Sequence, residues 1–283
     1  MTALGPTGLT VAQALAQARA RGLDRFDAQL LLGGLLAQNR SWLLAHDDAV
    51  LSAEQAERWA DWLARRADGE PVAYLLGERG FHGLTLAVGP AVLDPRPDTE
   101  TLVDWALAVL ADLPSGARLL DLGTGSGAIA LAIKAARPDA QVSAVDLSEA
   151  ALAVARGNGE RLGLPVRWLQ GAWLAPVAGE AFDLIVSNPP YIAEGDPHLG
   201  ALKHEPALAL TSGPDGLDAI RHLIAHAPAH LASDGWLLLE HGYDQADAVA
   251  ALLNAAGGWA NITHRLDLGG QRRCTGARRT TAA

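Results

Sequence analysis

The stretch 118–136 constrains the fold more than any other part of the chain. An apolar run, Leu119-Leu120-Asp121-Leu122, enters Gly123-Thr124-Gly125-Ser126-Gly127, and a helical pattern follows from Ala128 to Ala136. A short apolar run closed by glycines and followed by 3.6-residue periodicity reads as strand, tight turn and helix. The alternation continues downstream. Residues 141–145 read as a strand followed by a helix capped by Ser148, and 166–170 and 182–187 as further strands. Residues 217–227 are helical and 236–240 form another strand. Strands apolar along their whole length, separated by helices, call for a parallel sheet covered on both faces. Residues 259–266 and 271–276 have no helix between them and read as a terminal antiparallel pair.

The first 75 residues carry no such strands. Thr10 with Gln13, and Ser52 with Gln55, match the capping box, and Asp24 opens a segment with Phe26, Leu30, Leu31 and Leu35 at helical spacing. Gly69 and Pro71 stop the segment that carries Trp59, Trp62 and Leu63. A helical module over residues 1–75 is therefore expected. A hairpin linker follows over 76–93, where Phe, Leu, Thr and Val sit between Gly80, Gly83 and Gly89, and an α/β domain over 94–283. With 283 residues, 49% of them hydrophobic and 19% charged, the chain has the composition of a folded protein. The single Cys274 allows neither an internal disulfide nor a Cys-rich zinc site, so a reducing, cytoplasmic setting is expected. No apolar run approaches the ~20 residues that span a bilayer. A net charge of −10 offers no broad footprint for nucleic acid.

Two loops carry the chemistry. In the first, glycines at 123, 125 and 127 allow a tight turn and let a ligand approach the backbone, while the helix behind supplies unpaired amides. Asp146 ends the next strand, where a carboxylate can accept both hydroxyls of a ribose. Gly123, Gly125 and Ala128 also satisfy the dinucleotide pattern, so an adenosine-containing ligand is expected without the loop choosing between NAD and another. The second loop is Asn188-Pro189-Pro190-Tyr191. Two prolines remove two amide donors, Asn188 brings an acceptor and a donor, and Tyr191 brings a flat ring. That set suits a planar substrate bearing an NH2 group: the Asn188 side-chain oxygen and the Pro189 carbonyl accept its two hydrogens.

In this combination the chain resembles the S-adenosylmethionine-dependent methyltransferases that modify amide or amine nitrogens. More narrowly, it resembles the release-factor glutamine methyltransferases. Gly77-Glu78-Arg79, Pro95-Arg96-Pro97-Asp98-Thr99-Glu100, the block from Asp121 to Ala130, Ser187 to Ile192 and Leu237 to Gly242 match that family in order. The resemblance implies a Rossmann-like α/β methyltransferase sheet with a small N-terminal helical substrate-recognition domain. It implies methyl transfer from S-adenosylmethionine, with S-adenosylhomocysteine as product, to the glutamine amide nitrogen of the Gly-Gly-Gln tripeptide in class 1 peptide chain release factors. By family position Gly123, Thr124, Gly125, Ser126 and Gly127 line the cofactor, Asp146 holds its ribose and Trp173 lies near its adenine. Asn188, Pro189, Pro190 and Tyr191 hold the substrate amide, with Asn188 touching the cofactor as well. Ala172 stands where the family often has an acidic residue, which removes an acceptor for the adenine amino group.

Three rival activities share parts of this pattern. An adenine-N6 methyltransferase acting on DNA or RNA would use the same tetrapeptide but needs a basic face, and residues 1–88 hold 8 Lys plus Arg against 10 Asp plus Glu. An NAD-dependent oxidoreductase would leave Asn188 to Tyr191 unused. A non-catalytic binding module would not need the intact glycine loop. Other features read as structural. His222, His226 and His230 recur every four residues, yet Pro228 interrupts them and no further ligand completes a metal set. His241 reads as strand-end packing, Cys274 as inert, and Gly269-Gly270-Gln271 as a hairpin turn. The terminal arginines read as a solvated tail, and Trp42, Trp59, Trp62 and Trp105 as packing aromatics.

Overall fold

The computed structural model describes residues 8–280. They divide into two units, one of residues 8–78 with 201–204 and one of 79–200 with 205–280. No described helix is long and apolar enough to cross a membrane.

The smaller unit holds α1 (Val11–Ala20), α2 (Arg25–Leu36), α3 (Arg40–Ala45), α4 (Ala53–Ala67) and α5 (Val72–Leu76). Side chains start four of these helices by satisfying first-turn amides that have no partner within the helix. Thr10 with Gln13 and Ser52 with Gln55 form reciprocal capping boxes, Asp24 accepts from the amides of Phe26 and Asp27, and Asn39 accepts from that of Trp42. The apolar stripes meet in a core around Leu31, Leu32, Leu43, Trp59 and Leu63. Trp59 and Trp62 are buried as packing aromatics, and Trp42 stacks on His46.

The larger unit begins with a hairpin, β1 (Glu78–Phe81) and β2 (Leu84–Ala87), followed by α6 (Glu100–Ala111). The central alternation is β3 (Arg118–Leu122), α7 (Ala128–Ala136), β4 (Gln141–Asp146), α8 (Glu149–Leu162), β5 (Arg167–Gln170) and β6 (Phe182–Ser187). It continues through α9 (Asp218–His226), β7 (Leu231–Glu240) and α10 (Ala246–Ala256), and ends with β8 (Trp259–Leu266) and β9 (Arg272–Arg279). The seven-stranded sheet runs β5-β4-β3-β6-β7-β9-β8, with β5 to β7 all parallel and β9 antiparallel to both its neighbours. Strand alternation sorts the side chains. Leu119, Leu184, Val186 and Leu238 face a core shared with α6 and α7, whereas Leu120, Leu122, Ile185, Leu237 and Leu239 face one shared with α9 and α10. This is the expected α/β sheet covered on both faces. The strand order reverses between β3 and β6, and the crevice at such a reversal is where open α/β sheets bind ligands.

One expectation needs correction. The basic end is no solvated tail: it continues β9 to Arg279, with acids beside it. Arg272 pairs with Asp247 at 2.5 Å, Arg273 with Asp98 at 3.2 Å and Asp267 at 3.1 Å, and Arg278 with Asp234 at 3.3 Å. The expected antiparallel pair continues three residues further, to Arg279, because β9 lies between β7 and β8 and pairs with both. Gly269-Gly270-Gln271 does form the β8–β9 turn, where the Gln271 amide donates to Asp267 at 2.9 Å.

Candidate active site

The glycine loop leaves β3 at the reversal. Asp121 is fully buried at the strand end. Its Oδ2 accepts from the Thr124 hydroxyl at 2.6 Å and the Ala130 amide at 3.2 Å, while Oδ1 has no protein partner. Burial pushes its pKa up to about 7 against the pull of those two donors. The amides of Gly123 and Thr124 both donate to the carbonyl of Val145 on β4, at 2.9 and 3.1 Å. Asp146 completes the loop: Oδ2 accepts from the Gly125 amide at 2.8 Å and Oδ1 from the Ser148 amide at 2.9 Å.

Two of the glycines serve different needs. A Cβ on Gly127 would lie 2.9 Å from Trp168 and 3.1 Å from Leu131, so this glycine lets the helix start pack on the sheet. Gly125, at φ +57°, has nothing within 4 Å of its missing Cβ and borders open space. Asn158 of α8 braces the loop from behind, donating to the carbonyls of Ser126 and Ala87 at 3.0 Å each and accepting from the Ala87 amide at 2.7 Å. The β1–β2 hairpin is thereby tied to the glycine loop.

The second loop leaves β6, anchored by the Ser187 hydroxyl donating to the Leu122 carbonyl at 2.7 Å. The side-chain NH2 of Asn188 donates to the Thr99 hydroxyl oxygen at 3.2 Å. Gln245 donates to the Tyr191 carbonyl at 3.0 Å, and the Ile192 amide donates to the Leu210 carbonyl at 2.9 Å. Burial, and then the carboxylate of Glu240, hold the Tyr191 phenol above its ordinary range. The Pro-Arg-Pro-Asp-Thr-Glu block surrounds this loop. Besides Thr99, its Arg96 pairs with Glu205, whose other oxygen accepts from the Asp94 amide at 3.1 Å.

Between the loops lies a cavity of about 520 Å³, within the roughly 300–1,000 Å³ typical of small-molecule sites. Among the residues singled out from sequence, Gly123, Gly125, Asp146, Trp173, Asn188 and Pro190 line it, as does Ala172. Thr124, Ser126, Gly127, Pro189 and Tyr191 do not. Trp173 sits at φ +49°, with its ring 6.2 Å from that of His222. Sequence reasoning missed the opposite wall, formed by residues 91–93, 206, 208, 209, 211 and 212, with Asp218, Ala219 and His222 of α9. These positions have no motif. His222, which the sequence suggests is structural, is exposed, stacks on His226 at 4.2 Å and also borders the cavity.

The remaining features fall into structural roles. His241 is fully buried, with Nδ1 2.8 Å from the Gly242 carbonyl and Nε2 2.6 Å from the Thr275 hydroxyl. Burial pushes its pKa down to about 4, so the ring is neutral at physiological pH and donates at one nitrogen while accepting at the other. Burial raises the Cys274 thiol far above its ordinary range, leaving no thiolate for chemistry. Among the described residues no group of three or more His, Cys, Asp or Glu is arranged to hold a metal ion.

Comparison with known proteins gives this geometry a lineage. Residues 10–77 match the family model for the PrmC N-terminal domain, and residues 100–204 the one for the methyltransferase small domain. The release factor glutamine methyltransferase of Xylella fastidiosa strain Temecula1 is 53% identical over 247 residues, covering 86% of this chain and 90% of that protein. The enzyme of the same name from Burkholderia pseudomallei is 47% identical over 287 residues, covering 98% of this chain and 99% of its own. A methyltransferase structure from Pyrococcus furiosus shares the fold, with a TM-score of 0.55 at 20% identity over 78% of this chain and 100% of that one. About half of the residues are thus shared over nearly the whole length, and the chain belongs to the release factor glutamine methyltransferase family, S-adenosylmethionine-dependent enzymes that methylate a glutamine side-chain nitrogen.

Proposed function

We propose that this chain methylates the N5 amide nitrogen of the glutamine in the Gly-Gly-Gln tripeptide of class 1 peptide chain release factors. One observation carries the reading. Asn188 stands on the cavity wall with its NH2 committed to Thr99, so its side-chain oxygen remains as an acceptor beside a space of cofactor size.

S-adenosylmethionine suits the residues present. Gly125 leaves open space where any Cβ would intrude, and both Asp146 oxygens keep a lone pair for ribose hydroxyls after accepting one backbone amide each. Trp173 offers a flat surface for adenine. When bound, the cofactor supplies an activated methyl group.

The protein's own contribution is positioning. An amide nitrogen is a poor nucleophile because its lone pair is delocalised. The Asn188 side-chain oxygen and the Pro189 carbonyl accept its two hydrogens, which orients the nitrogen and favours the positive charge that develops on it. Tyr191 bounds the substrate side. Residues 1–75 serve as the substrate-recognition module, 76–93 as a hairpin linker and 94–283 as the catalytic domain, in a cytoplasmic enzyme with no nucleic-acid substrate.

The test is radiolabelled methyl transfer to a purified class 1 release factor, to its variant with alanine in place of the tripeptide glutamine, and to duplex DNA. Label on the intact factor alone supports the assignment. Label on DNA, or equal label on the alanine variant, overturns it in favour of another acceptor.

A further inference from the structure

Glu240 ends β7 directly beside the substrate loop. Ser187 and Leu239 are partners in the parallel β6–β7 pair, so the next residues along, Asn188 and Glu240, lie side by side where the strands finish. Glu240 is 1% exposed, and neither carboxylate oxygen has a closed hydrogen bond. Burying a carboxylate without partners is strongly unfavourable. Nothing in the sheet demands it, since the three preceding strand residues, Leu237, Leu238 and Leu239, are all buried leucines.

Its surroundings supply the reason. The hydroxyls of Thr99 and Tyr191 face the carboxylate, as does the guanidinium of Arg273 from β9, which Asp98 and Asp267 hold in turn. Cys274 of β9, its partner in the sheet, stays a thiol because burial raises it. Thr99 accepts the Asn188 NH2, and a hydroxyl that accepts once still has its own hydrogen to give. The two ends of the Asn-Pro-Pro-Tyr segment therefore converge on one buried acid, Asn188 through Thr99 and Tyr191 directly.

Resting on the assignment of Asn188 and Tyr191 to the substrate amide, we propose that Glu240 is a positioning residue. Its carboxylate takes the hydroxyl hydrogens of Thr99 and Tyr191, which commits the Asn188 NH2 to Thr99 and turns the Asn188 oxygen toward the substrate. The ionised form accepts both hydrogens and carries none of its own, whereas the protonated acid brings a hydrogen that must itself be given to an acceptor in the same pocket. Burial lifts the Glu240 pKa to about 7, so the relay assembles as pH rises through neutrality.

Glu240→Gln, Glu240→Asp and Thr99→Val are compared with the wild type by methyl transfer to a release factor between pH 6 and 8.5, and by calorimetric S-adenosylmethionine binding. Hydrogen exchange of the Asn188 side-chain NH2 is followed by NMR on protein labelled at asparagine. For Glu240→Gln we expect kcat to fall five- to twenty-fold with cofactor Kd within twofold, the rise through pH 7 to vanish, and Asn188 NH2 exchange to accelerate. Glu240→Asp should keep the pH-dependent rise, and the Thr99→Val/Glu240→Gln double variant should lose little beyond the worse single one. Wild-type kcat and pH profile in Glu240→Gln overturn the proposal, as does cofactor Kd worsening in step with kcat. If the wild type fails to label the factor at all, the proposed substrate falls, and the NH2 exchange still decides the role of Glu240.

Discussion

The two loops that meet at the cavity are held by different means. The glycine loop after β3 is tied almost wholly to the adjoining β3–β4 pair: Gly123 and Thr124 to the Val145 carbonyl, Thr124 to Asp121, Gly125 to Asp146. The Asn188–Tyr191 loop after β6 depends on groups far away in sequence, on Thr99 before α6 and Gln245 before α10. The cause lies in the prolines. Pro189 and Pro190 have no amide hydrogen, so this segment cannot build the backbone network that secures the first loop. Side chains from other elements hold it instead. The comparison teaches that changes in the glycine loop should register in stability or cofactor binding, whereas changes around the proline loop should register in turnover.

The largest expected effect is on Gly127. A branched side chain at φ +82°, forced against Trp168 and Leu131, combines left-handed strain with overpacking. Gly127→Val should lower stability by about 3 kcal/mol or more in urea unfolding. Gly125→Ala, with open space around it, should cost only about 1–2 kcal/mol of backbone strain while weakening cofactor binding. Equal destabilisation by the two would break the division of roles between these glycines.

Next comes Asn188→Ala, which should reduce kcat at least tenfold, about 1.4 kcal/mol or more of lost stabilisation, with S-adenosylmethionine affinity largely intact. Near-normal turnover would refute the contrast between the loops, and a parallel loss of cofactor affinity would merge their functions.

The smallest effect per pH unit sharpens the picture of the first loop. Asp121 has a raised pKa of about 7 in the folded chain against an ordinary 3.8, so over that interval the folded state keeps a proton that the unfolded state has lost. The sign follows: its contribution to stability declines as pH rises from about 4 to about 7, at no more than ~1.4 kcal/mol per pH unit for one group. Asp121→Asn should flatten that part of the stability–pH curve in thermal unfolding. An unchanged slope would mean that Asp121 is ionised throughout.

Much of the larger unit was legible because its signals are local. Apolar strands alternating with helices, glycines at the strand end and Asp146 closing the next strand need no distant partner to be recognised. The caps at Thr10, Asp24 and Ser52 are equally local. Helix α10 was not read, because its alanine-rich sequence, all but devoid of polar residues, lacks a clear start signal. The Pro-Arg-Pro-Asp-Thr-Glu block was legible only as a family resemblance. Its task of supplying Thr99 to Asn188 across 89 positions of sequence has no counterpart in spacing.

The order of residues alone determined that this chain builds a covered parallel sheet and where the glycine loop lies, and it singled out the tetrapeptide from Asn188 to Tyr191. Both hydrophobic periodicity and backbone restrictions act over a few neighbouring residues. Folding decided the rest: the far wall of the cavity, the insertion of the arginine-rich β9 between β7 and β8, and the buried acid behind the substrate loop. Those features exist only where segments distant along the chain come within hydrogen-bond reach, a proximity that loop closure and packing create and that no local pattern encodes.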